Sequence, residues 1–284
     1  MFHTLKEIIY FMNFLEFCMK LCYTKFVENL FVFIFLNNYQ GGIMPRFFIN
    51  PENIGETSVT IPAPDAVHIG RSLRMRIGDA ITVCCGGIEY DCKIITISDN
   101  SVNCEIITSQ KSLNEPDVEV TLFQAVPKGD KLDTIVQKAV ELGVTRVCPV
   151  LTSRCVSRPD KKSFGKKLER LNRIALEAAK QSGRGIVPQV TELIGFDDCV
   201  KQLTANDYAL VCYEGGGINL SEAGLKSNST IGLFIGSEGG FDKAEVDTCI
   251  SAGSVAIGLG RRILRCETAP LAALSIIMNL TGNI

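Results

Sequence analysis

The chain has 284 residues, 46% of them hydrophobic and 21% charged, with a formal net charge of −2. That length gives one large domain or two moderate ones with full cores, and the composition is that of an ordinary globular protein. Near-neutral charge excludes a surface that is basic throughout, so any nucleic-acid contact is a local patch. The twelve cysteines contain no C-x-x-C pair, and the two histidines, His3 and His68, are far apart. No zinc-type spacing is therefore present, and no metal is expected. Most of the cysteines fall inside apolar runs and read as reduced core thiols of a cytosolic protein.

Residues 1–43 differ from everything after them: they hold eight of the fifteen phenylalanines, no proline, and no glycine before Gly41. Lys6, Glu7, Glu16, Lys20, Lys25 and Glu28 interrupt the apolar residues and leave Leu30–Leu36 as the longest purely apolar run. A membrane span needs about 18 apolar residues, and no signal-peptide pattern is clear. Phe, Ile, Asn, Tyr and Lys are what A/T-rich DNA encodes without selection for a fold. Gln40-Gly41-Gly42 can also be encoded by a purine-rich ribosome-binding sequence. The expectation is a mis-assigned start, with translation beginning at Met44; an amphipathic anchor and a lineage-specific extension are the competing readings.

From Met44 to about Asn114 the chain reads as short strands: Arg46–Ile49, Ser58–Ile61, Ala80–Cys84, Ile88–Ile97 and Ser101–Thr108. Turn signals such as Gly86-Gly87 separate them. With one helix, around Pro64–Leu73, this spacing suggests a small β-barrel. Arg71 and Arg74 share a helix face near His68 and Arg76. They are either a solvated polar face or a guanidinium cluster for phosphates or a flipped base.

From Glu115 to Ile284 the pattern changes to α/β. The strand-like run Val118–Val126, a helical stretch from Lys131 to Leu142 stopped by Gly143, and the strand Val144–Leu151 make a β-α-β unit with parallel strands. Between Arg154 and Arg173 eight basic residues outweigh Asp160 and Glu169. This is either a solvated helix face or a polyanion contact. Three further buried strands, Tyr208–Cys212, Ile231–Ile235 and Val255–Ile257, each end in a glycine-rich loop, at 214–217, 236–240 and 258–260. Asp242 and Glu245 fit a capping box. Pro270 suits the first turn of a terminal helix with Leu271, Leu274, Ile277 and Met278 as its apolar stripe.

Loops at strand ends are where open α/β sheets bind ligands. No G-x-x-x-x-G-K-[ST] occurs. Gly258-x-Gly260 begins like a dinucleotide turn, but Ile263 stands at the third glycine and no β-α-β unit follows. No G-x-S-x-G and no histidine occur in this half, which removes the usual hydrolase elbow and the commonest general base. What remains is a small polar ligand held mostly by backbone, as suits an adenosine-type cofactor. The residues alone lead to an α/β enzyme or ligand-binding domain, with RNA association open.

From Met44-Pro45-Arg46-Phe47-Phe48 to the C-terminus, the chain resembles the RsmE family, the 16S rRNA uridine N3-methyltransferases of the SPOUT knotted superfamily. The resemblance rests on His68, Leu73-Arg74 and Gly78-Asp79; on Lys128-Gly129-Asp130-Lys131 and Gln137–Val144; on Glu177–Arg184; and on the last two glycine loops. Ser237, Arg261 and Cys266 depart from the family pattern without removing a charged or glycine position.

The resemblance implies an N-terminal PUA-like RNA-binding β-barrel at 44–114 and a SPOUT α/β methyltransferase domain at 115–284 with a deep trefoil knot. It implies S-adenosylmethionine as cofactor, 16S rRNA of the small ribosomal subunit as partner, a homodimer, no membrane association, and a cytoplasmic location. The cofactor residues it implies are Gly236, Ser237, Glu238, Gly239, Gly240, Ile257, Leu259, Gly260, Ile263, Leu264 and Thr268.

Arg265 is the expected stabiliser of charge on the uracil carbonyls. Glu267 is expected either to position the base or accept a proton, or to cap the terminal helix. Glu238 is expected to pair with Arg265, to touch the partner subunit, or to hold the knot. Arg46, Arg71, Arg74, Lys128, Lys131, Arg154 and Arg184 are the RNA-binding expectations. The rival readings are an RNA-binding or ribosome-assembly protein without catalysis, and a knotted methyltransferase for another RNA.

Overall fold

In the computed structural model residues 44–284 are described; the expectations for residues 1–43 lie outside the described residues. The chain divides into two units, residues 44–84 with 89–110, and residues 85–88 with 111–284.

The first unit is built on five strands, β1 (Arg46–Phe48), β2 (Ser58–Pro62), β3 (Ala80–Cys85), β4 (Ile88–Ile97) and β5 (Ser101–Lys111), in the order β1-β3-β4-β5-β2. Val59 and Ile61, Cys92 and Ile94, and Val102 and Cys104 alternate into one core with Phe47, Ile69 and Ile81. Alternation of this kind commits each strand's register, because a slip of one residue would turn the apolar set outward. Between β2 and β3 the chain makes a short helix, Asp65–Val67, and a π-helical turn, His68–Ser72.

The second unit carries the strands β6 (Glu119–Ala125), β7 (Arg146–Leu151), β8 (Gln189–Val190), β9 (Ile194–Gly195), β10 (Tyr208–Cys212), β11 (Ile218–Asn219), β12 (Thr230–Ile235) and β13 (Val255–Gly258). They run in the order β11-β13-β10-β12-β6-β7-β8, with β9 also on β7, and every pairing is parallel. β6 and β12 are buried at nearly every position. That is the signature of parallel strands covered on both faces, and it explains why their sequences are mostly apolar without alternation.

The helices are α1 (Lys131–Glu141), α2 (Lys161–Gln181), α3 (Phe196–Leu203), α4 (Lys243–Ser251) and α5 (Ala269–Leu280). α1 buries Leu132, Ile135, Val136, Ala139 and Val140 and packs against α2 and α5. Phe123, Phe234, Phe241, Leu203 and Val246 share a core in which the Phe234 and Phe241 rings meet edge-on at 4.6 Å.

The elements read from the sequence recur here with ends moved by up to three residues, the most at β5, which runs on to Lys111. The capping box opens α4, with the Asp242 amide donating to Glu245 Oε2 at 3.0 Å. α3 and the two-residue strands β8, β9 and β11 are additions. Among the described residues no helix is long and apolar enough to cross a membrane.

Candidate active site

β13, β10 and β12 are neighbours in the sheet, so the segments that follow them emerge side by side. Together with Lys131 they enclose a cavity of about 660 Å³, within the roughly 300–1,000 Å³ of small-ligand sites. Its wall comprises Cys212–Glu214, Gly216, Gly217 and Asn219 after β10, Ile235–Phe241 after β12, and Ile257–Cys266 around the end of β13.

Two glycines are required by this geometry. Gly240 has φ +64°, and a Cβ there would lie 2.5 Å from Glu214 Oε1. Gly217 has φ +143°, and a Cβ there would lie 2.4 Å from the Ala256 carbonyl oxygen, a backbone atom that cannot move aside. Gly258 and Gly260 have open space where a side chain would stand. Seven glycines stand in the wall, and at them the main chain is open to close approach by a ligand.

The loop after β12 is fastened at several points. The Gly240 amide donates to the Ser237 carbonyl at 3.0 Å, and Gln124 Nε2 donates to the Gly236 carbonyl at 3.2 Å. Arg154 Nη1 donates to the Gly239 carbonyl at 3.0 Å, while Ser237 Oγ donates to the Arg154 carbonyl at 3.2 Å. Arg154, expected on RNA, is therefore a brace of the cavity loop.

Three segments meet in a charged cluster. Lys131 Nζ lies 3.0 Å from Glu238 Oε1 and 3.3 Å from Glu267 Oε2. Glu238 Oε1 also accepts from the Lys128 amide at 3.0 Å. Burial works against ionisation of Glu238, but the Lys131 ammonium and the backbone donors outweigh it and hold the carboxyl below its usual range. The Cys266 thiol donates to Glu267 Oε2 at 3.2 Å and, with Lys131, lowers Glu267 as well. Cys266 itself is pushed up to about 12 by burial and by that bond, so it remains a neutral thiol. Arg265 is 84% exposed, with Nη1 at 4.0 Å from Glu267 Oε1.

Of the residues expected on the cofactor, Gly236, Ser237, Glu238, Gly239, Gly240, Ile257, Leu259, Gly260, Ile263 and Leu264 line the cavity, as does Arg265. Thr268 does not; it is exposed, and its amide donates to the Arg265 carbonyl at the entry to α5. Glu238 pairs with Lys131 and not with Arg265. Glu214, Tyr213 and Cys212 were not singled out, although the Glu214–Gly217 loop was itself a visible signal.

The expectation that Arg184 contacts RNA is corrected. It is 3% exposed, it meets Glu115 at 2.6 Å, and its Nη1 donates to the carbonyls of Val140 and Val144. Glu115 also accepts from the Gly185 and Ile186 amides, so the pair ties the chain after α2 to the start of the unit. Arg46 is likewise committed, at 2.8 Å from Glu89 and 3.1 Å from Cys84 Sγ. Arg71 is exposed and paired with Asp99. Arg74, in a left-handed conformation at φ +53°, and Lys128 are exposed.

The basic run on α2 is partly used up locally. Arg170 bonds Asp130 and Asp133, and Lys167 Nζ donates to the Gly129 carbonyl. Among the described residues no group of His, Cys, Asp or Glu is arranged to hold a metal ion.

Residues 114–278 match the RNA methyltransferase domain family, and residues 61–107 match the RNA methyltransferase PUA domain. The chain is 37% identical over 246 residues to ribosomal RNA small subunit methyltransferase E of Bacillus subtilis, covering 82% of this chain and 96% of that one. It is 32% identical to the protein of the same name from Synechocystis, covering 82% and 76%. Its structure resembles that of ribosomal RNA small subunit methyltransferase E from Neisseria gonorrhoeae bound to S-adenosyl methionine. That likeness has a TM-score of 0.76 at 33% identity and covers 84% of this chain and 98% of the other. With its RNA methyltransferase domain, its PUA match and a backbone-lined cavity at the ends of β10, β12 and β13, this chain belongs to the ribosomal RNA small subunit methyltransferase E family.

Proposed function

We propose that the protein transfers a methyl group from S-adenosylmethionine to N3 of a uracil in 16S rRNA of the small ribosomal subunit. The observation that carries this reading is the joint placement of a glycine-walled cavity and an exposed arginine, Arg265, at its rim. The cavity suits the cofactor. Its volume is right, its glycines leave peptide groups accessible, and the apolar side chains of Ile257, Leu259 and Leu264 offer surfaces for adenine.

When bound, the cofactor supplies an already activated methyl group. The residues of this chain then have to align the base and manage the proton on N3. Arg265 is the donor for negative charge growing on the uracil carbonyls. Glu267 is held ionised below the usual carboxylate range, which makes it a poor proton acceptor near neutral pH and a good hydrogen-bond acceptor. Its role in this reading is to orient Arg265 and the base. Proton loss from N3 is left to solvent.

The α/β unit is read as a SPOUT domain whose last three loops form a trefoil knot, and the first unit as a PUA-like barrel that holds rRNA. The parallel sheet with β12 and β13 placed between earlier strands supports the first, and the PUA match supports the second. Arg71, Arg74 and Lys128 are the remaining basic residues we assign to RNA. A cytoplasmic homodimer completes the reading; Ile263, 86% exposed beside the cavity, is an apolar residue a second copy would cover.

The test is methylation in vitro of small subunits from a strain lacking the gene, followed by mass mapping of the 16S rRNA. One N3-methyluridine is expected to appear with the wild-type protein. If no uridine gains a methyl group the assignment fails; methylation of a different RNA moves it to the rival knotted enzyme.

A further inference from the structure

Lys131 was expected to face RNA, yet its ammonium points into the cavity cluster. It is the first residue of α1, while Glu238 belongs to the loop after β12 and Glu267 to the turn before α5. One ammonium has three donors, enough for both carboxylates at 3.0 and 3.3 Å. Lys131 and the Cys266 thiol both engage Glu267 Oε2, which leaves Oε1 as the atom nearest Arg265. Arg265 has no other ion pair among the described residues, so Glu267, at 4.0 Å, is the acid through which the cluster reaches it.

We propose that Lys131 is a positioning residue: it clamps the loop after β12 to the turn before α5 by holding Glu238 and Glu267 on one ammonium, and acts on Arg265 through Glu267. The proposal rests on the functional reading above only for what Arg265 does. The groups in contact in the cluster are Lys131 at the start of α1, Glu238 from the loop with the Lys128 amide on it, and Cys266 and Glu267 from the last turn, with Arg265 4.0 Å from Glu267. Cys266 stays neutral, and the Arg265 guanidinium is at 4.0 Å and mostly in solvent, so Lys131 supplies the short-range positive charge. Without it, two carboxylates are left to repel each other.

The test uses the full chain with its glutamate carboxyls labelled for NMR, free of cofactor, as wild type and as Lys131→Met, Lys131→Arg and Lys131→Met with Glu238→Gln. In Lys131→Met one of the two carboxyls is expected to titrate about one pH unit higher, as like-charge neighbours do. Lys131→Arg is expected to titrate like wild type, and the added Glu238→Gln to return Glu267 toward its wild-type midpoint. Unchanged titration in Lys131→Met overturns the clamp.

On the rRNA assay, kcat of Lys131→Met is expected to fall about tenfold or more, with KM for rRNA little changed and recovery in Lys131→Arg. A raised KM at unchanged kcat overturns positioning and makes Lys131 an RNA contact. Absence of methylation by the wild type sinks the functional reading instead, and the titrations still decide the clamp.

Discussion

The loop Gly236–Gly240 is bonded to Gln124, to Arg154 and across itself, whereas in the loop Gly258–Leu264 the residues from Gly260 to Ile263 all face solvent. Both follow strands of one parallel sheet and both wall the same cavity. The first is pre-organised, so a ligand pays little ordering entropy against it. The second presents Arg261, Arg262, Ile263 and Arg265 outward, where a substrate or a second subunit can meet them. On the proposed reading the fastened loop gives the cavity its preformed wall, and the exposed one leads to the reacting group, Arg265.

Substitutions can break that division. Replacing Arg265 by alanine has the largest expected effect: kcat drops by about 10²–10³, the usual loss for one charge-stabilising donor. Cofactor affinity measured by calorimetry is expected to hold, and a parallel loss of affinity would merge the two roles. Arg154→Ala reverses the pattern. Removing the bond to the Gly239 carbonyl is expected to weaken cofactor binding about fivefold to tenfold, corresponding to about 1 kcal/mol for one hydrogen bond. Its kcat at saturating cofactor is expected to change little. Ile263→Ala is the smallest. At 86% exposure it is expected to move folding stability by under about 0.5 kcal/mol in a denaturant titration. A larger loss that depends on protein concentration would place Ile263 in a subunit interface.

The parts of the fold that could be read from the residues are those with long, one-sided signals. β10 and β12 are apolar runs ended by glycine loops, β6 is a mostly apolar one ended by a proline loop, and α1 carries three- and four-residue spacing. α3 was missed because eight residues with Gly195 before them give barely two turns of periodicity. Strands of two residues, such as β8 and β11, carry no period at all.

The site divides similarly. The glycine loops announce themselves locally, but side-chain pairing does not. Arg184 and Lys131 both look like surface cations in sequence. One is buried against Glu115, distant along the chain, and the other is drawn into the cavity by Glu238 and Glu267. Nothing near either residue encodes its partner. The partner is chosen by which strands become neighbours, and parallel crossovers set that at long range.

Of the described strands β13 is synthesised last, yet it lies between β10 and β11 instead of at the margin of the sheet. A nascent chain that has emerged only as far as β12 thus carries two strand edges with no mate, and such edges recruit other chains. The sheet is closed there only once β13 has emerged, and the segment that follows it brings Arg265. A chain cut before Val255 is for that reason expected to aggregate and be cleared as a whole, and not to persist as a folded protein with a damaged pocket.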